Sequence, residues 1–203
     1  METYGLIPAA GKSRRMGRPK LLLPLGETTV LEHALSAVRS AGVTNILVVV
    51  APDSEALAQL AEAAGANVLR LREDTPDMRA TCTYGLAWIE EHFQPRAEDG
   101  WLLLPADHPT VRPEVVHALL AAAQESIDKT ITLPTFQGRR GHPTWLRWSH
   151  IDALRSLPPE QGLNTFIRMH AAETLELAWP SDEILRDLDT PEDYARLLGE
   201  RSA

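Results

Sequence analysis

Leu6-Ile7-Pro8-Ala9-Ala10-Gly11-Lys12-Ser13-Arg14-Arg15-Met16-Gly17-Arg18-Pro19-Lys20-Leu21-Leu22-Leu23-Pro24 carries a short apolar strand directly into a glycine-rich, strongly basic loop. Such a loop is a seat for phosphates. Small residues at Ala9, Ala10 and Gly11 let backbone N–H groups approach an anion, and glycine tolerates backbone angles that point successive amides at one oxygen. Ser13 adds a hydroxyl, and Arg14, Arg15, Arg18 and Lys20 add mobile positive charge around the same point. The order of residues is neither the G-x-x-x-x-G-K-[ST] of a P-loop nor the G-x-G-x-x-G of a dinucleotide fold. A basic surface loop after an edge strand is the plain alternative.

Outward from this loop, branched apolar runs at 45–50 and 101–104 alternate with alanine-rich helical stretches at 30–40, 54–64 and 114–124. That rhythm predicts an α/β fold with a doubly wound, mostly parallel, Rossmann-like sheet. Ligands of such sheets bind beyond the carboxyl ends of the strands. After about residue 130 the rhythm changes. A strand at 130–134, a turn-rich stretch and a strand at 144–146 predict a small antiparallel insertion. Helices at 149–156 and 163–170, a strand at 174–178 and a closing helix at 191–198 follow, the last with Thr190 as cap and Pro191 at the first helical position. No linker is evident, so residues 1–203 are expected to form one domain.

Composition narrows the function. The 203 residues carry 20 Lys+Arg against 28 Asp+Glu, a net charge of -8, with no long basic block, which argues against general binding to a nucleic-acid backbone. One cysteine, Cys82, excludes an internal disulfide and a cysteine-cluster metal site. No apolar run reaches the ~20 residues needed to span a bilayer and no signal peptide is apparent, so no membrane partner and a cytoplasmic location are expected.

Four further segments carry candidate chemistry. Pro105-Ala106-Asp107-His108-Pro109 puts a carboxylate at the tip of a buried strand, where a hard oxygen ligand suits Mg²⁺, although a turn or cap role fits Asp107 as well. Asp187-Leu188-Asp189-Thr190-Pro191-Glu192-Asp193 is a second acidic cluster, in a position also suited to partnering a helix dipole. Thr81 sits in Asp77-Met78-Arg79-Ala80-Thr81-Cys82-Thr83-Tyr84-Gly85-Leu86 and reads either as a hydroxyl for a nucleotide or as a helix cap. Gly138-Arg139-Arg140-Gly141-His142-Pro143 reads as a tight turn offering cations and an imidazole.

The run A-A-G-x-S-x-R-M-G-x-x-K-x-L-L-P at 9–24 resembles, nearly position for position, the signature of the MobA-like nucleotidyltransferases, which include molybdenum-cofactor cytidylyl- and guanylyltransferases. The resemblance implies that Ala9, Ala10, Gly11, Ser13, Arg14, Arg15, Lys20 and Thr81 bind the nucleotide, with Arg15, Lys20 and Asp107 catalytic. It further implies that Asp107 and Asp189 hold Mg²⁺, Asp187 being the other candidate, and that Arg140 and His142 face the acceptor. The implied reaction is transfer of a nucleoside monophosphate from an NTP to a small phosphorylated acceptor, as in a CTP:molybdopterin cytidylyltransferase. A nucleotide-binding regulatory protein without turnover and a sugar-1-phosphate nucleotidyltransferase are the alternatives. Two departures keep base and acceptor open: around Thr81, which takes the family's serine position, Asp77 and Thr83 stand at the outer positions of the G-M-x-x-S-L of many molybdenum-cofactor relatives, and Asn164 in Pro159-Glu160-Gln161-Gly162-Leu163-Asn164 stands where relatives have an arginine.

Overall fold

The computed structural model describes residues 1–158 and 160–201; Pro159 and the last two positions of the expected 1–203 domain lie outside the described residues. The strands of the central sheet are β1 (Thr3–Ala9), β4 (Asn45–Val50), β5 (Asn67–Arg70), β6 (Gly100–Leu103), β7 (Ile131–Phe136), β8 (Arg139–Arg140), β9 (Thr144–Arg147) and β10 (Thr174–Ala178). They lie in the order β10-β7-β9-β6-β1-β4-β5, with β8 added to β7. A short antiparallel ribbon of β2 (Pro24–Leu25) and β3 (Thr28–Thr29) stands apart from it.

Burial on both faces explains why the parallel strands read as unbroken apolar runs. Ile7, Val48, Val50, Leu102 and Leu104 turn to a core completed by α1 (Val30–Ser40), α2 (Glu55–Ala63), α4 (Pro113–Glu125) and α7 (Pro191–Arg201). Their neighbours Leu6, Leu47, Val49, Trp101 and Leu103 turn to the opposite core, under α3 (Met78–Phe93), α5 (Ile151–Arg155) and α6 (Leu163–Met169). Successive side chains alternate between faces, so each strand feeds both cores.

β1 pairs in parallel with β4 on one side and β6 on the other, and the chain reaches β4 first. The strand order therefore reverses beside β1, and the loops leaving β1 and β6 open on the same edge at this switch point. The expected antiparallel excursion takes a different form. β9 is inserted into the main sheet, antiparallel to both β6 and β7, while β7 and β8 form a hairpin. Gln137 and Gly138 occupy that hairpin's two-residue loop with φ of 50° and 76°, the left-handed pair that matches strand twist.

Besides the two-residue strands β2, β3 and β8, the sequence does not announce β5 or α3. β5 is short and only partly buried, and the buried face of α3, Thr81, Cys82, Gly85, Leu86 and Ile89, mixes small and polar residues with apolar ones, so its period is weak in the sequence. The cap of α3 is Asp77, whose Oδ1 accepts from Ala80 N at 2.8 Å; Thr81 lies inside the helix instead of at its start.

Candidate active site

Beyond β1 the basic loop folds on itself. Ser13 adopts φ 48°, and its carbonyl accepts from Met16 N at 3.0 Å and Gly17 N at 3.2 Å. Gly17 follows at φ 65°, so the left-handed positions are Ser13 and Gly17. Gly11 leaves open space beside the loop: a Cβ there would meet nothing within 4 Å. Ser13 Oγ then accepts from Lys20 N at 3.3 Å, which ties the far end of the loop back to its start.

The acidic side is assembled from two distant segments. Ala106 N donates to Pro8 O at 3.3 Å, placing the turn after β6 beside the loop after β1. Leu188 N donates to Asp107 O at 2.8 Å, and Leu188 itself is fully buried, so the segment before α7 is clamped over that turn. Asp193 Oδ2 accepts from Asp189 N at 3.2 Å and Thr190 N at 2.9 Å, while Thr190 Oγ1 accepts from Asp193 N at 3.2 Å. This is a capping arrangement that fixes the backbone of Asp189.

At the centre, the Lys20 ammonium lies 2.8 Å from Asp107 Oδ2 and 2.8 Å from Asp189 Oδ1. Arg15 reaches the other oxygen of Asp189, also at 2.8 Å. Lys20 is only 8% exposed. Burial works against its charge, but Asp107 and Asp189 more than offset it, and the ammonium is held above its ordinary pKa. Burial likewise raises Asp189, and the Lys20 hydrogen bond and nearby cations outweigh it, so the carboxyl is held below its usual range. A buried cation balanced by two carboxylates is a charged site kept ready for a polyanion. Asp187 is exposed and makes none of these contacts.

A cleft of about 520 Å³ runs over this centre, lined by Ala9, Ala10, Gly11, Ser13, Arg14, Arg15, Lys20, Thr81, Asp107 and Asp189 together. Thr81 Oγ1 is 2.6 Å from Thr75 Oγ1 and donates to Asp77 O at 3.2 Å. Across the cleft, Lys12 pairs with Asp74, a contact the sequence reading missed because nothing relates positions so far apart. Among the described residues no three or more His, Cys, Asp or Glu side chains cluster to hold a metal by themselves. Two carboxylates facing a phosphate-sized space do fit Mg²⁺, which completes its octahedron with water and substrate oxygens.

Next to this cleft, and sharing Asp77 and Met78 with it, is an apolar chamber of about 500 Å³. Leu86, Trp101, Leu103, Ile151, Leu154 and Leu157 line it, with His142 and Asn164. In sequence these apolar residues are indistinguishable from core. His142 is half-buried with its Nδ1 enclosed and without a partner, and its ring meets that of His108 edge-on at 4.7 Å. Burial, then the neighbouring His108, pushes the His142 pKa well below the ordinary imidazole value. Arg140 goes elsewhere: on β8 it pairs with Glu176 of β10 at 2.7 Å, and it lines neither cavity. Burial drives the Cys82 thiol up to about 12, so it is no nucleophile at neutral pH.

The sequence profile of the MobA-like NTP transferase domain matches residues 5–175. Purine catabolism protein PucB of Bacillus subtilis is 28% identical over 196 residues, 94% of this chain and 93% of that protein. A probable molybdenum cofactor guanylyltransferase of Bacillus mycoides is 28% identical over 137 residues, 67% of this chain and 63% of that one. Among solved structures, Rv0371c of Mycobacterium tuberculosis in complex with manganese superposes with a TM-score of 0.75 at 28% identity, covering 98% of both chains. With a match over most of its length and nucleotidyltransferases among its relatives, this chain is a nucleotidyltransferase and belongs to the MobA-like NTP transferase family.

Proposed function

We propose that the protein transfers a nucleoside monophosphate from an NTP to a small phosphorylated acceptor with release of pyrophosphate, its specific form being a CTP:molybdopterin cytidylyltransferase. The observation that carries this reading is the Lys20 ammonium, buried at 2.8 Å from both Asp107 and Asp189 under the glycine-rich loop. The molybdenum-cofactor relative and the sequence signature at 9–24 support the choice of acceptor.

An acceptor phosphate oxygen forms a bond to the α-phosphorus as the bond to the β-phosphate bridge breaks, and pyrophosphate leaves. An ionised phosphate needs no general base, so the residues position and neutralise. Backbone amides around Ala10 and Gly11 cradle the phosphates; Arg14, Arg15 and Lys20 meet the charge growing on the α-phosphate and leaving group. Asp107 and Asp189 orient Lys20 and would hold Mg²⁺, which supplies charge neutralisation and a template for the phosphates when bound. The manganese complex of the mycobacterial relative favours a divalent ion in this role. Thr81, 3% exposed at the cleft wall, faces the nucleoside, and His142 the acceptor. One domain carries both cavities. No described helix is long and apolar enough to cross a membrane, and a cytoplasmic location, with its NTP supply, goes with the reading.

The test is a thermal-shift screen of the four NTPs with Mg²⁺, followed by pyrophosphate release with molybdopterin. CTP is expected to stabilise most, since a ligand of the folded state raises its stability with the logarithm of saturation. Equal, negligible shifts with all four would sink the proposal; a GTP preference would replace the cytidylyl form with a guanylyl one.

A further inference from the structure

The two carboxylates of the cleft sit on segments without regular structure of their own. Between Leu104 and Arg112, and between Arg186 and Thr190, the chain forms neither helix nor strand. The distance from Asp107 to Asp189 therefore depends on contacts between these segments, which run in opposite directions and meet at three rungs. At the cleft end Leu188 N donates to Asp107 O at 2.8 Å. In the middle Thr110 Oγ1 donates to Glu183 O at 2.7 Å. At the far end Arg112 closes on the Glu183 carboxylate with two bonds, Nε to Oε2 at 2.6 Å and Nη2 to Oε1 at 3.0 Å.

Glu183 is the rung that packing alone does not explain. The residue is 8% exposed, and a buried carboxylate is costly unless its oxygens are satisfied. Oε1 also accepts from Trp179 Nε1 at 2.6 Å and Ser181 Oγ at 3.0 Å, both on its own side of the ladder. Oε1 thus serves mainly the turn Asp182–Leu185, while Oε2 serves the crosslink to Arg112. An apolar side chain would fill the same space, but two bonds to a planar guanidinium fix distance and angle as well.

We infer that Glu183 is a positioning residue of the transfer reaction, setting through Arg112 the spacing at which Asp107 and Asp189 face Lys20 and a divalent ion. This rests on the nucleotidyl-transfer reading and extends its machinery beyond the cleft, whose wall Glu183 does not line. Glu183→Gln keeps an oxygen for Trp179 and Ser181 and breaks the bond from Arg112 Nε. Arg112→Met cuts the same crosslink at a side chain that is 60% exposed, and decides the matter if the first variant does not fold.

The experiment is a Mg²⁺ titration of the thermal shift given by the NTP that stabilises the full chain most. Each variant is expected to raise the Mg²⁺ concentration at half-maximal shift about tenfold, the low end for a residue that orients a metal's ligands. In pyrophosphate release kcat should fall about tenfold, with KM for NTP within about twofold. A merely structural role would lower the melting temperature without ligand and leave the Mg²⁺ midpoint in place. The double variant should be no worse than the worse single one, because both remove one interaction. Arg112→Lys, a cation without the fork, should return the midpoint to within about threefold. An unmoved midpoint in both single variants, or losses that multiply in the double one, overturns the inference and leaves the transferase reading standing. No shift by any NTP with the unmodified protein overturns both.

Discussion

The two cavities of this protein share a wall and are built on opposite principles. The nucleotide cleft is made of loops and charge. Its cations are held by its own carboxylates, Lys20 between Asp107 and Asp189 and Arg15 on Asp189, so the site exists as a network of ion pairs that a triphosphate can enter by exchange. The chamber is made of packed helix and strand faces, its wall is mostly apolar, and burial disfavours the charged form of its imidazole. The difference teaches that one end of the site is organised for electrostatics and the other for shape. Damage to the first should cost rate with little stability, and damage to the second should cost stability or acceptor choice.

The sharpest way to break that contrast is to remove a charge from the cleft. Lys20→Ala and Asp107→Asn are each expected to lower pyrophosphate release about 100-fold, the ~3 kcal/mol that one well-placed electrostatic group contributes to a transition state. Their NTP-induced thermal shifts should shrink much less than their turnover. Near-unmodified rates in either folded variant would remove Lys20 or Asp107 from the mechanism.

Next in size is a change to the packing of the chamber's edge. A Cβ on Gly141 would stand 2.5 Å from the carbonyl oxygen of Ile184 and 2.8 Å from its Cγ1. Backbone cannot step aside as a side chain can, so Gly141→Ala is expected to destabilise by about 1–3 kcal/mol in urea unfolding. Gly85→Ala is the control. There the Cβ meets Leu6 Cδ1 at 2.5 Å and Val49 Cγ2 at 3.0 Å, ends of side chains that can repack, and the loss should be smaller. A larger loss at Gly85 would show that the α3 wall, and not the hairpin edge, is the rigid part.

A smaller effect follows from the neutral imidazole. His142 has its pKa lowered from 6.5 by burial and then by the neighbouring His108. Below pH 6.5 the unfolded chain therefore binds a proton that the folded chain does not, and stability falls as pH falls. His142→Gln is expected to flatten the pH dependence of unfolding in that window by up to about one proton, with the slope that remains coming from His108 and His150, both also lowered by burial. An unchanged slope would mean that His142 is solvated in the folded protein.

The same contrast explains what could be read from the amino-acid sequence. The cleft's residues lie in dense local patterns: the strand before Asp107 places it at the sheet edge where the loop after β1 opens, whereas Asp189 is singled out only by the family resemblance of the acidic cluster at 187–193. The parallel sheet is legible because strands buried on both faces are continuously apolar. The chamber is not legible. Trp101, Leu103 and Leu154 have the spacing of core residues, and whether a core position borders a void depends on how α5 and α6 stand off the sheet. Arg140 shows the converse. Its turn motif is plain, yet a partner 36 positions away, Glu176 on β10, determines where the guanidinium points.

The smallest expected effect is at the mouth of the cleft. Lys12 and Asp74 join the basic loop to the segment before α3, but their side chains are 43% and 50% exposed. Solvent and salt screen such a pair, and exposed pairs contribute about 0.2–1 kcal/mol. Lys12→Ala is therefore expected to leave the melting temperature unchanged within error and to move the KM for NTP by less than about threefold, with the change fading as salt is raised. A persistent, salt-independent rise in KM would mean that Lys12 leaves Asp74 for a desolvated phosphate when nucleotide binds. It would then join Lys20 among the cations that act in a water-poor cleft.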